Sequence, residues 1–473
     1  MRAIRKRKGN AMDLVLKGGT IVGESGAYEG DIGVKNGSIA AICAPGSGLE
    51  GKTTIDVTGK LVLPGAIDVH VHMEIPFCGT VSSDDFTSGS IAAAFGGVTT
   101  MIDFAIQTRG EKLVEAVEKR KKIAAAKSAI DFGLHCGITD WNERTREEMK
   151  EIVDAGIPSF KLFMIYREEG WMADDGVMFE CFEEAASLGA TVCVHAENPY
   201  IIDVFTRRSI EAGRTDAVQQ SLSRPNFSES EAVERAIYLA SISGARVYIV
   251  HMSTSDAARI VEEWLACGYP AFAETCPQYL MLNNRAFEGA DGHLYATCPP
   301  IRYEADCEYL WGAVADGSIQ VVSTDHCSFT RKQKDLWGGD FRKIPFGLPG
   351  VETLLPLLLT HGVDAGRFSL ERLVELLCAN PARLFGLYPK KGVIRVGSDA
   401  DLIVIDPERE MEVTPESLHM KCDYSPYDGG ALRGFPDITI QRGRIIVRDG
   451  QFLGRAGDGR FLKRAAHGGN SNG

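Results

Sequence analysis

GAIDVHVH at residues 65–72 is an apolar, β-branched run that ends in His70-Val71-His72, and seven more runs of the same texture follow it along the chain. They are VTTMIDFA (98–105), DFGLHCGI (131–138), SFKLFMIY (159–166), ATVCVHAE (190–197), RVYIVHMS (246–253), PAFAETCPQYL (270–280) and IQVVSTDHC (319–327). Most of the segments between them carry helical periodicity, for example EKLVEAVEKRKKIAAAK (111–127), ERTREEMKEIVDAG (143–156) and SDAARIVEEWLACG (255–268). Strands that are apolar on both faces and alternate with helices are parallel strands joined by right-handed crossovers. Eight such units predict an α/β fold of the TIM-type (β/α)8 class. An open doubly wound sheet is the second choice, and the lack of a glycine-rich phosphate loop after the first run counts against it.

Outside the barrel the texture changes. DLVLKGGTIV (13–22), DIGVKNGSIAAI (31–42) and TTIDVTGKLVL (53–63) read as a run of short antiparallel strands, and IRVGSDADLIVID (394–406) and ITIQRGRIIVRDG (438–450) read the same way. The predicted division is a disordered basic arm at 1–11, a small β-sandwich domain from 12–62 and 393–455, the barrel at 63–392, and a tail at 456–473 with a role between subunits left open. The final GGNSNG also reads as disordered.

The chain has 473 residues, 44% of them hydrophobic and 24% charged, which suits a soluble globular protein that folds by burial. A net charge of −13 argues against nucleic acid or an anionic membrane as partner and leaves a small molecule. No apolar run approaches the roughly 20 residues of a membrane span, and no hydrophobic stretch follows the basic N-terminus as in a secretory signal. A cytoplasmic location is expected. The 12 cysteines form no CxxC pair and read as reduced packing residues.

Catalytic groups of such barrels sit at the C-terminal ends of the strands. Here the first run ends in His70 and His72, the fourth contains Lys161, the fifth ends in His195, the sixth in His251 and the eighth in Asp325-His326. His70 and His72 are two residues apart on a strand and so face the same way. A lone strand-end histidine is usually a hydrogen-bonded structural residue. Four imidazoles and a carboxylate at neighbouring strand ends instead point to a metal site. His326 follows Asp325 and faces the other way, as a neighbour of the site at most; His135 is given no role. Lys161 lies in an apolar run, where a bare ammonium is costly, so it must be paired, neutral or altered. A neutral lysine can take up CO2 as a carbamate, an anion able to bridge two cations.

HVH, KLFMIY, VHAEN, VHMST, ETCPQYL, STDHC and GLPGVE together resemble the hydantoinase/dihydropyrimidinase family of the amidohydrolase superfamily, over about residues 12 to 464. The resemblance implies two divalent metals per subunit, zinc in most members, with manganese or iron as alternatives. It implies that His70, His72, Asp325 and Lys161 as N6-carboxylysine hold one metal, and that Lys161, His195 and His251 hold the other. It further implies a metal-bridging hydroxide as nucleophile, Asp325 as proton shuttle and Tyr166 as oxyanion donor; the plain alternative for Tyr166 is a packing aromatic. The expected reaction opens the cyclic amide of a hydantoin or dihydropyrimidine to an N-carbamoyl amino acid, in a homotetramer or homodimer.

The family pattern has a serine and an asparagine where Cys298 and Phe346 stand here. With Met73 to Phe77 they predict a more apolar pocket, in which Tyr166, Cys298 and Phe346 contact substrate. A dihydroorotase would carry an arginine two residues after the paired histidines. Glu74 stands there and is expected to repel an anion. An allantoinase remains an alternative, as does a non-catalytic dihydropyrimidinase-related assembly protein, although every expected ligand is present.

Overall fold

In the computed structural model, which describes residues 11–467, the eight runs form a single parallel sheet. Its strands are Ala66–Val71, Val98–Ile106, Asp131–Gly137, Ser159–Phe163, Thr191–His195, Arg246–Ile249, Ala271–Thr275 and Val321–Val322, each hydrogen-bonded to the next in chain order. Nearly every strand residue is buried, which is why the runs read as continuously apolar. Helices on the outside carry one apolar stripe: in Glu143–Asp154, capped by the Asn142 side chain, Thr145, Glu148, Met149 and Ile152 face inward. The sheet closes on itself. His72 N donates to His326 O at 2.8 Å, and Asp68 of the first strand accepts both the N–H (3.2 Å) and the hydroxyl (2.5 Å) of Thr324. Consecutive order without a reversal, ending in closure, is a barrel and excludes the doubly wound sheet.

The two ends of the chain share one nine-stranded sheet. Leu402–Ile405 pairs antiparallel with Leu61–Pro64, and the shared core includes Leu16, Val34, Val62, Leu402 and Ile440. The N-terminal part departs from the expected antiparallel run. Met12–Gly23 pairs antiparallel with Gly26–Lys35, but its other edge pairs parallel with Gly51–Asp56 and then with Leu61 and Val62. A bulge between Leu16 and Gly19 makes this feasible. Gly18 sits at φ +72°, and a Cβ on Gly19 would come within 2.8 Å of the Val62 side chain.

At the N-terminal end of the barrel, Lys391 is buried among Asp131 (2.7 Å), Asp399 (3.0 Å) and Asp401 (2.5 Å), joining the barrel to the end domain. The segment from 456 is not a free tail as far as His467. Leu462 N donates to Phe132 O at 2.8 Å, and the buried Arg464 donates to Ser159 Oγ at 2.7 Å and to Leu134 O. The disorder expected for residues 1–10 and for the final GGNSNG lies outside the described residues. Among the described residues no helix is long and apolar enough to cross a membrane, and all 12 cysteines are free.

Candidate metal centre

The strand ends bring the expected residues to one mouth. His70 and His72 share a face of the first strand, and the Nε2 atoms of both lie 3.2 Å from Asp325 Oδ1. The His251 ring is 5.4 Å from His70 and 4.5 Å from His195. Lys161 enters from the fourth strand, its Nζ 5.4 Å from the ring centres of Phe104 and Phe163. All six line one cleft. Three non-glycine residues at this mouth have left-handed backbone: Tyr166 (φ 66°), His251 (φ 39°) and Asp325 (φ 50°). Such strain persists where surrounding packing enforces it, and here it turns strand-end side chains into the cleft.

Burial pushes the His70, His195 and His251 imidazoles below their ordinary value, so they are neutral, the form that binds a metal. Burial opposes ionisation of Asp325, but His70, His72 and Lys161 offset it and hold the carboxyl below its usual range. Burial also lowers the Lys161 amine to about 8. Lys161 Nζ, His72 Nδ1 and His251 Nδ1 are buried and have no hydrogen-bond partner in the protein. Buried polar atoms are rarely left so. Neutral imidazoles, a carboxylate and an unpaired amine able to become an anionic carbamate are a donor set that fits divalent cations.

Three acidic residues around the centre were not singled out by the sequence reading. Glu274 accepts from His70 Nδ1, from Tyr248 Oη at 2.8 Å and from His251 N at 3.2 Å, so it fixes the His70 ring and the His251 backbone together. Burial raises its carboxyl to about 7. Glu197 bonds His195 Nε2 at 2.8 Å and is held by Arg224 Nη1 at 3.2 Å; Arg224 and His195 overcome burial and keep it ionised. Asp68 locks the first strand to the eighth. The signal that would have found them is plain: Glu197 and Asp68 lie two residues from strand-end histidines and so share their face, and Glu274 interrupts an apolar run.

The other expected residues are placed as follows. Tyr166 lines the cleft, 5.3 Å from the His195 ring and edge-on to Phe77 and Trp171, and burial keeps its phenol protonated. Cys298 lines it too, but its thiol lies 3.2 Å from Glu197 Oε2 and 3.3 Å from Arg224 Nη1, a polar cluster and not an apolar wall. Phe346 is stacked under the Arg224 guanidinium at 5.3 Å. Phe346 and, from the expected 73–77 loop, Ile75 and Phe77 do line the cleft, joined there by Ile106, Phe163 and Trp171. Of the 73–77 loop, Met73 is wholly buried and does not line the cleft.

Glu74 corrects a further expectation. Its carboxylate is bound to Lys127 Nζ at 2.6 Å and does not line the cleft, so it does not repel an anion there. His326 faces away from the mouth, its Nδ1 accepting from Gly350 N and Val351 N and thereby tying GLPGVE to the eighth strand. His135 is inside the barrel, bonded to Ser159 Oγ and Val69 O.

Comparison with known proteins finds relatives over nearly the whole chain. The profile of the amidohydrolase family matches residues 61–446. A D-hydantoinase of Geobacillus stearothermophilus is 42% identical over 463 residues, covering 97% of this chain and 98% of that one. A D-phenylhydantoinase of Escherichia coli is 39% identical over 456 residues, covering 96% and 98%. The solved dihydropyrimidinase of Brevibacillus agri superposes with a TM-score of 0.93 at 39% identity, covering 96% of this chain and 98% of that one. The chain therefore belongs to the hydantoinase/dihydropyrimidinase family of amidohydrolases, enzymes that hydrolyse cyclic amides.

Proposed function

We propose that the protein opens the ring of a 5-substituted hydantoin or a dihydropyrimidine to give an N-carbamoyl amino acid. The observation that carries this reading is the cluster of His70, His72 and Asp325, whose ligand atoms lie within 4.8 Å of one another, with the unpartnered Lys161 amine lining the same cleft. His70, His72, Asp325 and N6-carboxylated Lys161 would hold one divalent cation; Lys161, His195 and His251 would hold the second, with zinc as first choice and manganese or iron as alternatives. When bound, these ions supply Lewis acidity and a water of lowered pKa. Carboxylation forms a bond from Nζ to CO2 and releases one proton, which the depressed basicity of the buried amine favours.

The chain's own residues supply the rest. Tyr166, protonated and facing the cleft, donates its O–H to the carbonyl oxygen as charge develops there. Asp325, ionised, accepts the proton of the attacking water and passes it to the ring nitrogen as the amide C–N bond breaks, leaving a carboxylate and a ureido group. The Phe77, Phe163 and Trp171 wall favours an apolar or aromatic ring substituent. We assign the enzyme to the cytoplasm on its free cysteines, and to a homotetramer or homodimer on its resemblance to the family.

The test is a screen of metal-replete protein against both enantiomers of 5-phenylhydantoin, and against hydantoin, dihydrouracil, dihydrothymine and allantoin, reading the ring-opened acid. Phenylhydantoin should exceed hydantoin and dihydrouracil in kcat/KM by about ten-fold or more. Turnover of allantoin alone would replace this reading.

A further inference from the structure

One wall of the cleft is built from two segments far apart in sequence, Thr297 with Cys298 and Phe346 with Gly347. Neither lies in a helix or strand, so no regular backbone ladder sets the distance between them. Arg224 contacts one side chain of each, the Cys298 thiol at 3.3 Å and the Phe346 ring at 5.3 Å, and a second cation bonds the backbone of both segments. Lys334, wholly buried, donates from Nζ to Ala296 O and to Pro345 O, each at 2.7 Å. Ala296 O also accepts Gly347 N at 3.0 Å, so the amine ties a knot directly behind the cleft-lining residues.

Its surroundings set Lys334 apart from a structural ion pair. Among the described residues no carboxylate reaches it, and its other neighbours are the Phe329 ring, 5.8 Å from Nζ, and the thiols of Cys78, Cys327 and Cys422. Both of its acceptors are backbone carbonyls one residue away from positions that face the substrate. We propose that Lys334 is a positioning residue for the substrate cleft, holding Cys298 and Phe346 at the spacing that receives one side of the ring; this rests on the ring-opening activity proposed above. Loss of the amine frees Pro345 O and removes one of the ties between the two segments, which keep the Gly347 N–Ala296 O bond and the Arg224 contacts and so shift by less than a full separation. It leaves the metal side of the cleft intact, because Lys334 bonds none of the candidate ligands.

The experiment compares metal-loaded, full-length wild type and Lys334→Met on hydantoin and 5-phenylhydantoin. Metal content and melting temperature are measured on the same samples. The expected result is KM raised about ten-fold or more, kcat within about three-fold and metal content unchanged, the signature of lost ground-state binding. Unchanged KM, or kcat and metal content falling together, overturns the role. Lys334→Gln, which keeps one donor, decides the matter if Lys334→Met does not fold. It should show a smaller rise in KM at unchanged kcat, and failure of both variants to fold means that Lys334 acts in folding and not in positioning. Absence of wild-type turnover overturns the activity and this role with it, whereas wild-type turnover with an unaffected variant overturns the role alone.

Discussion

Two lysines lie deep inside this molecule at opposite ends of the barrel, and their surroundings could hardly differ more. At the N-terminal end Lys391 is enclosed by Asp131, Asp399 and Asp401, whose charges overcome burial and raise its pKa above the ordinary lysine value. At the C-terminal end Lys161 has no hydrogen-bond partner, and burial lowers its amine to about 8. The first is a staple between the barrel and the end domain. The second is a group left incomplete by the protein, beside histidines that are also incomplete. The contrast distinguishes a buried charge that stabilises a fold from one kept for chemistry.

Exchanging each lysine for methionine should break the comparison cleanly. Lys161→Met is expected to lose bound metal and all measurable turnover while keeping its melting temperature, with partial rescue of the smaller Lys161→Ala by short-chain carboxylic acids. An active Lys161→Met protein would refute the carbamate. Lys391→Met should do the reverse, keeping kcat and metal content but losing stability by ~3–5 kcal/mol, because the buried Asp131 and Asp401 and the partly buried Asp399 lose their lysine and, among the described residues, only Arg442, 3.4 Å from Asp131, remains as a cation beside them. Chemical denaturation measures it, and a loss under about 1 kcal/mol would show that the network is relaxed by water.

A smaller effect is expected at the rim. Tyr166→Phe removes one donor to the developing oxyanion and should lower kcat by ~10²–10³. Activity near that of wild type would make Tyr166 a packing aromatic in the cage of Phe77, Phe163 and Trp171.

Lys334 sharpens the comparison as an intermediate case, buried with two backbone carbonyls as its hydrogen-bond partners. Burial lowers its amine to about 7 from an ordinary 10.5, so between these values the unfolded chain binds more protons than the folded one. The stability cost of burying it is therefore full below pH 7 and fades as the pH rises towards 10.5. The facing Cys78 and Cys422 thiols, pushed up to about 11 and about 12, stay protonated over most of that window. Unfolding free energy measured from pH 7 to 10 should thus rise in wild type relative to Lys334→Met, and a pH-independent difference would contradict the lowered amine.

How much of this was legible in the sequence follows from the range of the interactions. The barrel strands were legible because burial on both faces makes them apolar throughout, and the histidines because period-two spacing and strand-end position are local facts. The eighth run was read as nine residues, yet only Val321–Val322 forms a strand, because Thr324 turns to Asp68 and Asp325 adopts a left-handed backbone. Partnerships across the fold had no local signature. Glu274 and His70 are 204 residues apart, and Lys391 and Asp131 are 260 apart. Lys334 sits in RKQK (331–334), which reads as an exposed basic turn although this lysine is wholly buried. Spacing puts Glu74 at the mouth, but Lys127, at the end of the helix Leu113–Lys127, takes its carboxylate away.

The most direct test of the central claim is elemental analysis of the active, reconstituted protein beside Lys161→Met. Lys161, as a carbamate, is the one protein anion proposed to bridge two cations, so the account predicts two divalent ions per wild-type chain and loss of that pair in the variant. A fully active wild type with one ion per chain, or a variant that keeps both, would contradict it.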